Sequence, residues 1–536
     1  MHKLKVLYYN WTDFEDKRQR GGGVSIYQQN LIDAATERGD EAWFLSSGDC
    51  YSPFSRRPFL REARARAKGV RKFEIVNSTF VSPGPAAFGQ DAATSPEMEA
   101  LFAAFLREHG PFDVVHFNNL EGIPISFLRL AREHYPLTKI LYSMHNYFAF
   151  CPQVNLWFQD RAACYDFRDG RKCVNCLAQS RRPGRYQRFY RFEYFLRKLG
   201  IPPLSIMDRF LNQFIFVFLR STFHRMLRAY GGEGLQSKTL PVTTIVPRPA
   251  PPVKILAPEE AARFASRRRL FVTALNTYAD HILAVSRRVA ELAIGFGIDP
   301  AKVQTLYIGT RFAEEGRGAK GVGRAGNTNC RIGSTPCSTV YTAGSPLHLA
   351  YLGYMRRDKG FYFFLNALEK MPKRLACQFA LTFAVQIADL SAYQRIQRMA
   401  HRFAAVTFYA GYTHSQLRDI LATIDLAVIP VLWEDNLPQI AMECVAFGVP
   451  ILTSNRGGAQ ELLNCPELVF QAGSRTDFYA KLQGLLDNPA LLATALAGCV
   501  RLYTPHEHYD ILRENYYCRA TPDVRKEALR LVPASP

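Results

Sequence analysis

The sequence reads as an α/β chain made of two Rossmann-like halves, each a mostly parallel sheet flanked by helices. Three observations carry that reading: short apolar runs alternate with helical stretches, the rhythm repeats in the second half, and a segment without apolar periodicity lies between them. Strands alternating with helices produce right-handed βαβ units.

The first half opens with a strand at Lys5–Tyr9, a loop holding Gly21-Gly22-Gly23, and a helix over 24–37 that Gly39 stops. A strand follows at Ala42–Leu45, then a buried one at Phe112–Phe117, a helix near Pro124–Glu133 and a strand at Lys139–Ser143. His281–Ser286, a helix to about Phe296, and Val303–Ile308 close this half. In the second half the expected strands are Leu347–Gly353, Phe379–Val385, Leu426–Pro430 and Pro450–Ser454, with a helix at Phe361–Met371. These elements predict a first domain over 1–312 with an insert at about 180–275, and a linker or surface insertion over 313–346. The linker is dominated by the Gly, Ala, Ser and Thr of 316–345. A second domain is expected over 347–500, with a C-terminal helix and tail at 501–536 returning to the first.

Hydrophobic residues make up 48% of the 536 and charged residues 21%, enough for large buried cores. No run of about twenty apolar residues predicts a spanning helix, and the N-terminus lacks a signal-peptide pattern. A cytoplasmic location is expected, with peripheral attachment to the inner face of the cytoplasmic membrane as its variant. Sixty-seven Lys and Arg against 47 Asp and Glu give a net charge of +20, which points to a polyanionic partner: anionic lipid, nucleic acid or a phosphorylated substrate. No recognisable nucleic-acid module is present, so nucleic acid is set aside.

Residues 180–230 hold eleven Arg or Lys against Glu193 and Asp208, interleaved with aromatic side chains. Such segments suit the headgroup region of an anionic membrane; the competing reading is a helix packed on the first domain with its arginines in water. The twelve cysteines are spread too widely for a disulfide scaffold. Cys151, Cys164, Cys173 and Cys176 fall within 26 residues and form a candidate structural zinc site, against the alternative of buried thiols.

The most informative stretch is Ile429–Pro450. Pro438 suits the first turn of a helix, Gly448 a left-handed cap, and Pro450 prevents continuation. Asp435 then lies in the loop before the helix and Glu443 upon it. Both can face the crevice at the carboxyl ends of parallel strands. An ionised carboxylate accepts from two neighbouring hydroxyls in strong charge-assisted bonds.

This segment resembles the signature of glycosyltransferase family 4, the retaining glycosyl transferases group 1 of GT-B architecture: two acids separated by seven residues, then a helix ending in Gly-x-Pro. The resemblance implies that Asp435, with Asn436 and Leu437 beside it, meets the donor sugar, and that Glu443 holds the ribose diol. Asp435 replaces the more common Glu, and Glu434 is an alternative reader. Upstream, Gly353-Tyr354-Met355-Arg356-Arg357-Asp358-Lys359-Gly360 is similar to the family's diphosphate loop. Lys359 matches, while Tyr354 occupies the usual Arg position, so Arg356 or Arg357 must substitute. Gly457-Gly458 matches a turn that offers backbone N–H groups to phosphate. Gly22 and Gly23 match the opening glycine loop. His145, in Met144-His145-Asn146-Tyr147, resembles the family's His-Asp-Tyr and implies a place at the transferred sugar.

The resemblance implies retaining transfer from a nucleotide sugar (UDP, GDP or ADP) without a cofactor, with His145, Lys359 and Asp435 as catalytic residues. Of a covalent glycosyl-enzyme and same-face attack, the latter is expected because no second nucleophile is well placed. No Asp-x-Asp triad suggests a catalytic divalent ion. The implied acceptor is a saccharide or lipid-linked saccharide, as in surface polysaccharide assembly. Two other readings share the scaffold: an inactive, membrane-docked binding protein, and a nucleotide-sugar epimerase.

Overall fold

The computed structural model describes residues 2–18, 20–84, 93–176, 183–208, 210–211, 258–313 and 345–518. Most of the expected linker, residues 212–257 of the expected insert and the tail from 519 lie outside the described residues.

Two sheets organise the chain. In the first lobe the strands are β1 (Lys5–Asn10), β2 (Glu41–Ser47), β3 (Phe59–Ala63), β4 (Val70–Val76), β5 (Val114–Phe117), β6 (Lys139–Met144), a separate hairpin β7 (Trp157–Phe158) and β8 (Ala162–Ala163), β9 (His281–Ala284) and β10 (Val303–Thr305). Eight of them form a sheet ordered β10-β9-β6-β5-β1-β2-β4-β3. Every pairing in it is parallel except β3 with β4. The second lobe holds β11 (Leu347–Tyr354), β12 (Phe379–Gln386), β13 (Ala405–Ala410), β14 (Leu426–Ile429), β15 (Ile451–Ser454) and β16 (Val469–Phe470). Their order is β13-β12-β11-β14-β15-β16, all parallel.

The central strands are near-continuous apolar runs because helices cover both faces. Val6, Tyr8, Val114, Ile140, Leu141, Leu349, Ala350 and Val428 have no more than 1% of their surface exposed. Each such burial of a large side chain contributes about 2 kcal/mol against the entropy of ordering the chain. In both sheets the order reverses beside the first strand, between β1 and β5 and between β11 and β14. Ligands of open α/β sheets bind at such switch points, outside the carboxyl ends of the strands. Two doubly wound lobes presenting these edges to each other make the GT-B architecture.

Several elements were not read from the sequence. Strand β4 hides its nature because two of its charged residues are buried: Lys72 Nζ pairs with Asp13 Oδ2 at 2.9 Å and Glu15 Oε2 at 2.7 Å, and Glu74 pairs with Arg61 at 2.5 Å. The helix Pro258–Tyr278, expected within the insert, instead places Phe271 and Leu275 in the main core. Its Arg267 donates to the carbonyl of Phe148 at 2.8 Å.

The chain returns to the first lobe at its far end. Thr504 and Glu507 form a capping box and Pro505 takes the first turn, which starts the helix Pro505–Leu512. That helix lies along the helix Gly23–Glu37. Tyr27 Oη meets His508 Nε2 at 2.9 Å, Tyr509 donates to Asp40 at 2.6 Å, and Tyr517 Oη meets His116 Nδ1 at 2.7 Å.

Candidate active site

The residues singled out in the sequence sit on loops at the carboxyl edges of both sheets. Gly22 and Gly23 follow β1, His145 follows β6, Arg356 and Lys359 follow β11, Asp435 to Leu437 follow β14, and Gly457 and Gly458 follow β15.

Lys359 and Asp435 are brought together. Lys359 Nζ lies 2.5 Å from Asp435 Oδ2 and 5.2 Å from the centre of the Trp433 ring. The approach depends on Gly360, whose φ of 75° no β-carbon could share, since that atom would fall 1.6 Å from the Pro430 carbonyl oxygen. Gly457, at φ 67°, lets the next turn close on the same loop, and Gly458 N–H donates to the Asp435 carbonyl at 2.9 Å.

Glu443 lies buried on the helix Gln439–Ala446, which begins after Pro438 and ends before Gly448 at φ 74°. Burial pushes its carboxyl up to about 7. Leu437 is buried in the core. Asn436 bridges the lobes: its Nδ2 reaches the Met144 carbonyl at 3.3 Å, and its own carbonyl accepts from Ser286 Oγ at 2.8 Å. Gly23 meets the second lobe directly, its carbonyl accepting from Gln439 Nε2 at 2.9 Å.

His145 packs its ring 4.6 Å from that of Tyr27, with part of its surface open. Its Nε2 is enclosed and has no hydrogen-bond partner among the described residues. Burial, and then the neighbouring His508, lower its pKa to about 3, so the imidazole stays neutral.

Three of the expected groups have partners within the protein. Glu434 is fully buried and committed elsewhere: Arg288 Nε reaches it at 3.1 Å, Gly457 N–H at 3.0 Å, and Tyr165 and Arg456 close round it. Burial alone would raise its pKa, but the Arg288 and Tyr165 bonds hold it below the usual carboxylate range. Arg356, exposed, pairs with Asp358 at 2.5 Å. The cysteines of the candidate zinc site have other contacts. Cys176 Sγ donates to Gln153 at 2.7 Å, Cys164 Sγ lies 3.7 Å from the Asp166 carbonyl, and no group of three ligating side chains is arranged for a metal among the described residues.

Comparison with known proteins bears on the second lobe. Residues 346–488 match the family model described as Glycosyl transferases group 1. The second lobe matches the group 1 glycosyltransferases. Glycogen synthase of Mycobacterium tuberculosis, in strains CDC 1551 and H37Rv, is 28% identical over 148 residues, 27% of this chain. That match spans about a third (35%) of the relative's own length. Among solved structures, HepE of Anabaena with UDP and glucose is similar at 12% identity and TM-score 0.46, covering 99% of this chain and 100% of that one. Sucrose-phosphate synthase of Thermosynechococcus elongatus is similar at 14% and 0.48, covering 98% of each.

The contacts joining the second lobe to the first were not visible in sequence. Glu461 accepts from the backbone N–H groups of Arg287 and Arg288 at 2.8 and 2.7 Å and from Tyr307 at 2.7 Å, so one lobe caps a helix of the other. Only Ser286, a helix N-cap ahead of an apolar run, left a readable signal. Tyr165, carried just beyond β8, crosses to Glu434 and gave none.

Gly457→Ala tests how tightly this lobe is built. The new methyl would lie 2.0 Å from the Asp435 carbonyl oxygen at a φ that L-residues avoid. A loss of about 3 kcal/mol is expected, a drop in Tm of roughly 5–10 °C. Differential scanning calorimetry checks it; an unchanged Tm would mean that the turn is not close-packed.

Proposed function

We propose that the protein is a retaining, metal-independent hexosyltransferase of the family 4 kind, moving a sugar from a nucleotide sugar to a saccharide or lipid-linked acceptor. The observation that carries this reading is the juxtaposition of Lys359, Asp435 and the buried Glu443 at one sheet edge, with Gly23 and His145 supplied by the facing lobe. The group 1 match over residues 346–488 supports it. The donors to try are UDP, GDP and ADP sugars.

In this reading Glu443 accepts the two ribose hydroxyls, Asp435 accepts from hydroxyls of the sugar, and Lys359 faces the diphosphate. The bond from the anomeric carbon to the phosphate oxygen breaks, and its electron pair stays on the diphosphate. Lys359 meets that growing charge. The acceptor oxygen attacks the anomeric carbon from the same face, and its proton passes to the departing phosphate oxygen. The neutral His145 can hydrogen-bond the sugar without adding charge. Catalysis then rests on positioning and preorganised electrostatics.

The test titrates purified protein with nucleoside diphosphates and nucleotide sugars, following Tm and release of the free nucleotide. One nucleotide should raise stability by about 2.7 kcal/mol at a hundredfold excess over its Kd, and its sugar conjugate should be consumed. Binding without consumption, with any acceptor supplied, favours the inactive binding protein. A change in the sugar without nucleotide release favours the epimerase. No shift with a folded protein overturns the donor site.

A further inference from the structure

The first lobe carries an exposed apolar surface that belongs to neither sheet edge. The helix Pro183–Lys198 packs on the lobe through Tyr190, Tyr194 and Leu196, with Tyr190 donating to the Ser82 carbonyl at 2.8 Å. Its outer side and the turn that follows leave Phe195, Leu199, Ile206 and Met207 in the open, Ile206 at 90% and Leu199 at 59% exposure. A second element joins them: Phe54, 72% exposed on the loop before β3, has its ring 6.4 Å from that of Phe195. Monomeric proteins seldom leave such side chains clustered without a partner.

The exposed charges along this helix and on the loop bearing Phe54 are cationic. Arg56, Arg57, Arg188 and Lys198 are exposed beside it. The only acids in 183–208 are Glu193 and Asp208, and both are buried. Arg18 holds them at 2.5 and 2.7 Å, and Arg20 adds a 3.2 Å contact to Glu193. These ion pairs cancel the negative charge and fix the helix and turn to the loop that leads into Gly21–Gly23. The helix and turn are thus tied to the first lobe, and the exposed charged side chains of 183–208 are all cationic.

We propose that this surface docks on an anionic lipid bilayer. Phe54, Leu199, Ile206 and Met207 enter the headgroup boundary, while the arginines and Lys198 meet lipid phosphate. The net charge of +20 favours the same encounter over any acid-poor partner. The inference stands apart from the donor-site reading, since it uses neither the second lobe nor its residues.

The experiment is co-sedimentation of the full chain with vesicles of phosphatidylcholine alone and of phosphatidylcholine mixed with phosphatidylglycerol, at low and high salt. Binding is expected only to the mixed vesicles and should weaken with salt. The triple variant Phe54→Ser, Ile206→Ser, Met207→Ser should partition at least tenfold more weakly while keeping the wild-type Tm. Arg56→Glu with Arg57→Glu should also weaken binding and flatten its salt dependence. Failure of the wild type to bind overturns the proposal, as does equal binding by the triple variant. Sedimentation velocity covers the rival occupant: a wild-type dimer that the triple variant dissolves, without vesicle binding, assigns the surface to a second copy instead.

Discussion

Glu443→Gln should weaken nucleotide binding by about 30- to 1000-fold, and it should also remove a pH dependence that the wild type shows. The first effect follows from losing a charged acceptor for two hydroxyls, roughly 2–4 kcal/mol. The second follows from burial. With its pKa pushed up to about 7, the Glu443 carboxyl is about nine-tenths protonated at pH 6, and binding to the ribose diol must first remove that proton. Wild-type affinity should therefore rise about tenfold between pH 6 and pH 8, beyond any change the Gln variant shows. Using the variant as reference cancels the titration of the nucleotide's own phosphate. Calorimetry in buffers of different ionisation enthalpy should record proton release on binding near pH 7. A wild type and variant with the same affinity at every pH would remove Glu443 from the site.

The same shift has a sign for stability. An acid whose folded pKa lies above its unfolded value favours folding only while protonated. The cost is absent below about pH 4.5, grows to about pH 7 and is constant above, reaching about 3 kcal/mol. The unliganded Gln variant should thus be the more stable protein at pH 8 and lose that advantage near pH 5, read as a difference in Tm.

Lys359→Ala and Asp435→Ala should each lower turnover of the donor by about 10²–10³-fold, with different effects on binding. Lys359 faces the diphosphate in the proposed complex, so its loss should also weaken binding of the free nucleoside diphosphate. Asp435 faces the sugar, so its loss should leave the diphosphate's Kd within a few-fold of wild type. Because the pair is joined at 2.5 Å, the double variant should lose less than the product of the single losses. Steady-state release of nucleotide and separate binding titrations check both. Strict additivity would mean that the two side chains act independently.

How much of this was legible in sequence depends on whether the signal is local. Val6 to Tyr9, Val114 to Phe117 and Leu349 to Leu352 announce buried parallel strands because both faces are covered, and an apolar run has no other economical fate. Strand β4 was illegible because Lys72 and Glu74 are neutralised by Asp13, Glu15 and Arg61, which lie on other segments. The loop and helix bearing Asp435 and Glu443 could be placed because Pro438 and Gly448 mark the helix ends within eleven residues. The fate of Glu434 could not, since Arg288 and Tyr165 come from the other lobe and no spacing rule links them. The hydrogen bond from Cys176 to Gln153 was equally illegible, since nothing in the spacing of the cysteines points to a glutamine 23 residues away.

The return of residues 505–517 to the first lobe bears on the order in which the molecule is made. His116, Tyr27 and Asp40 are translated early, yet their partners Tyr517, His508 and Tyr509 come some four hundred residues or more later. Until those arrive, the face that will receive the helix Pro505–Leu512 stays open to water, with apolar neighbours exposed. The first lobe cannot reach its final stability on the ribosome ahead of the second. The nascent chain must keep an unfinished lobe soluble while the rest is synthesised, and the last described helix completes the lobe that began first.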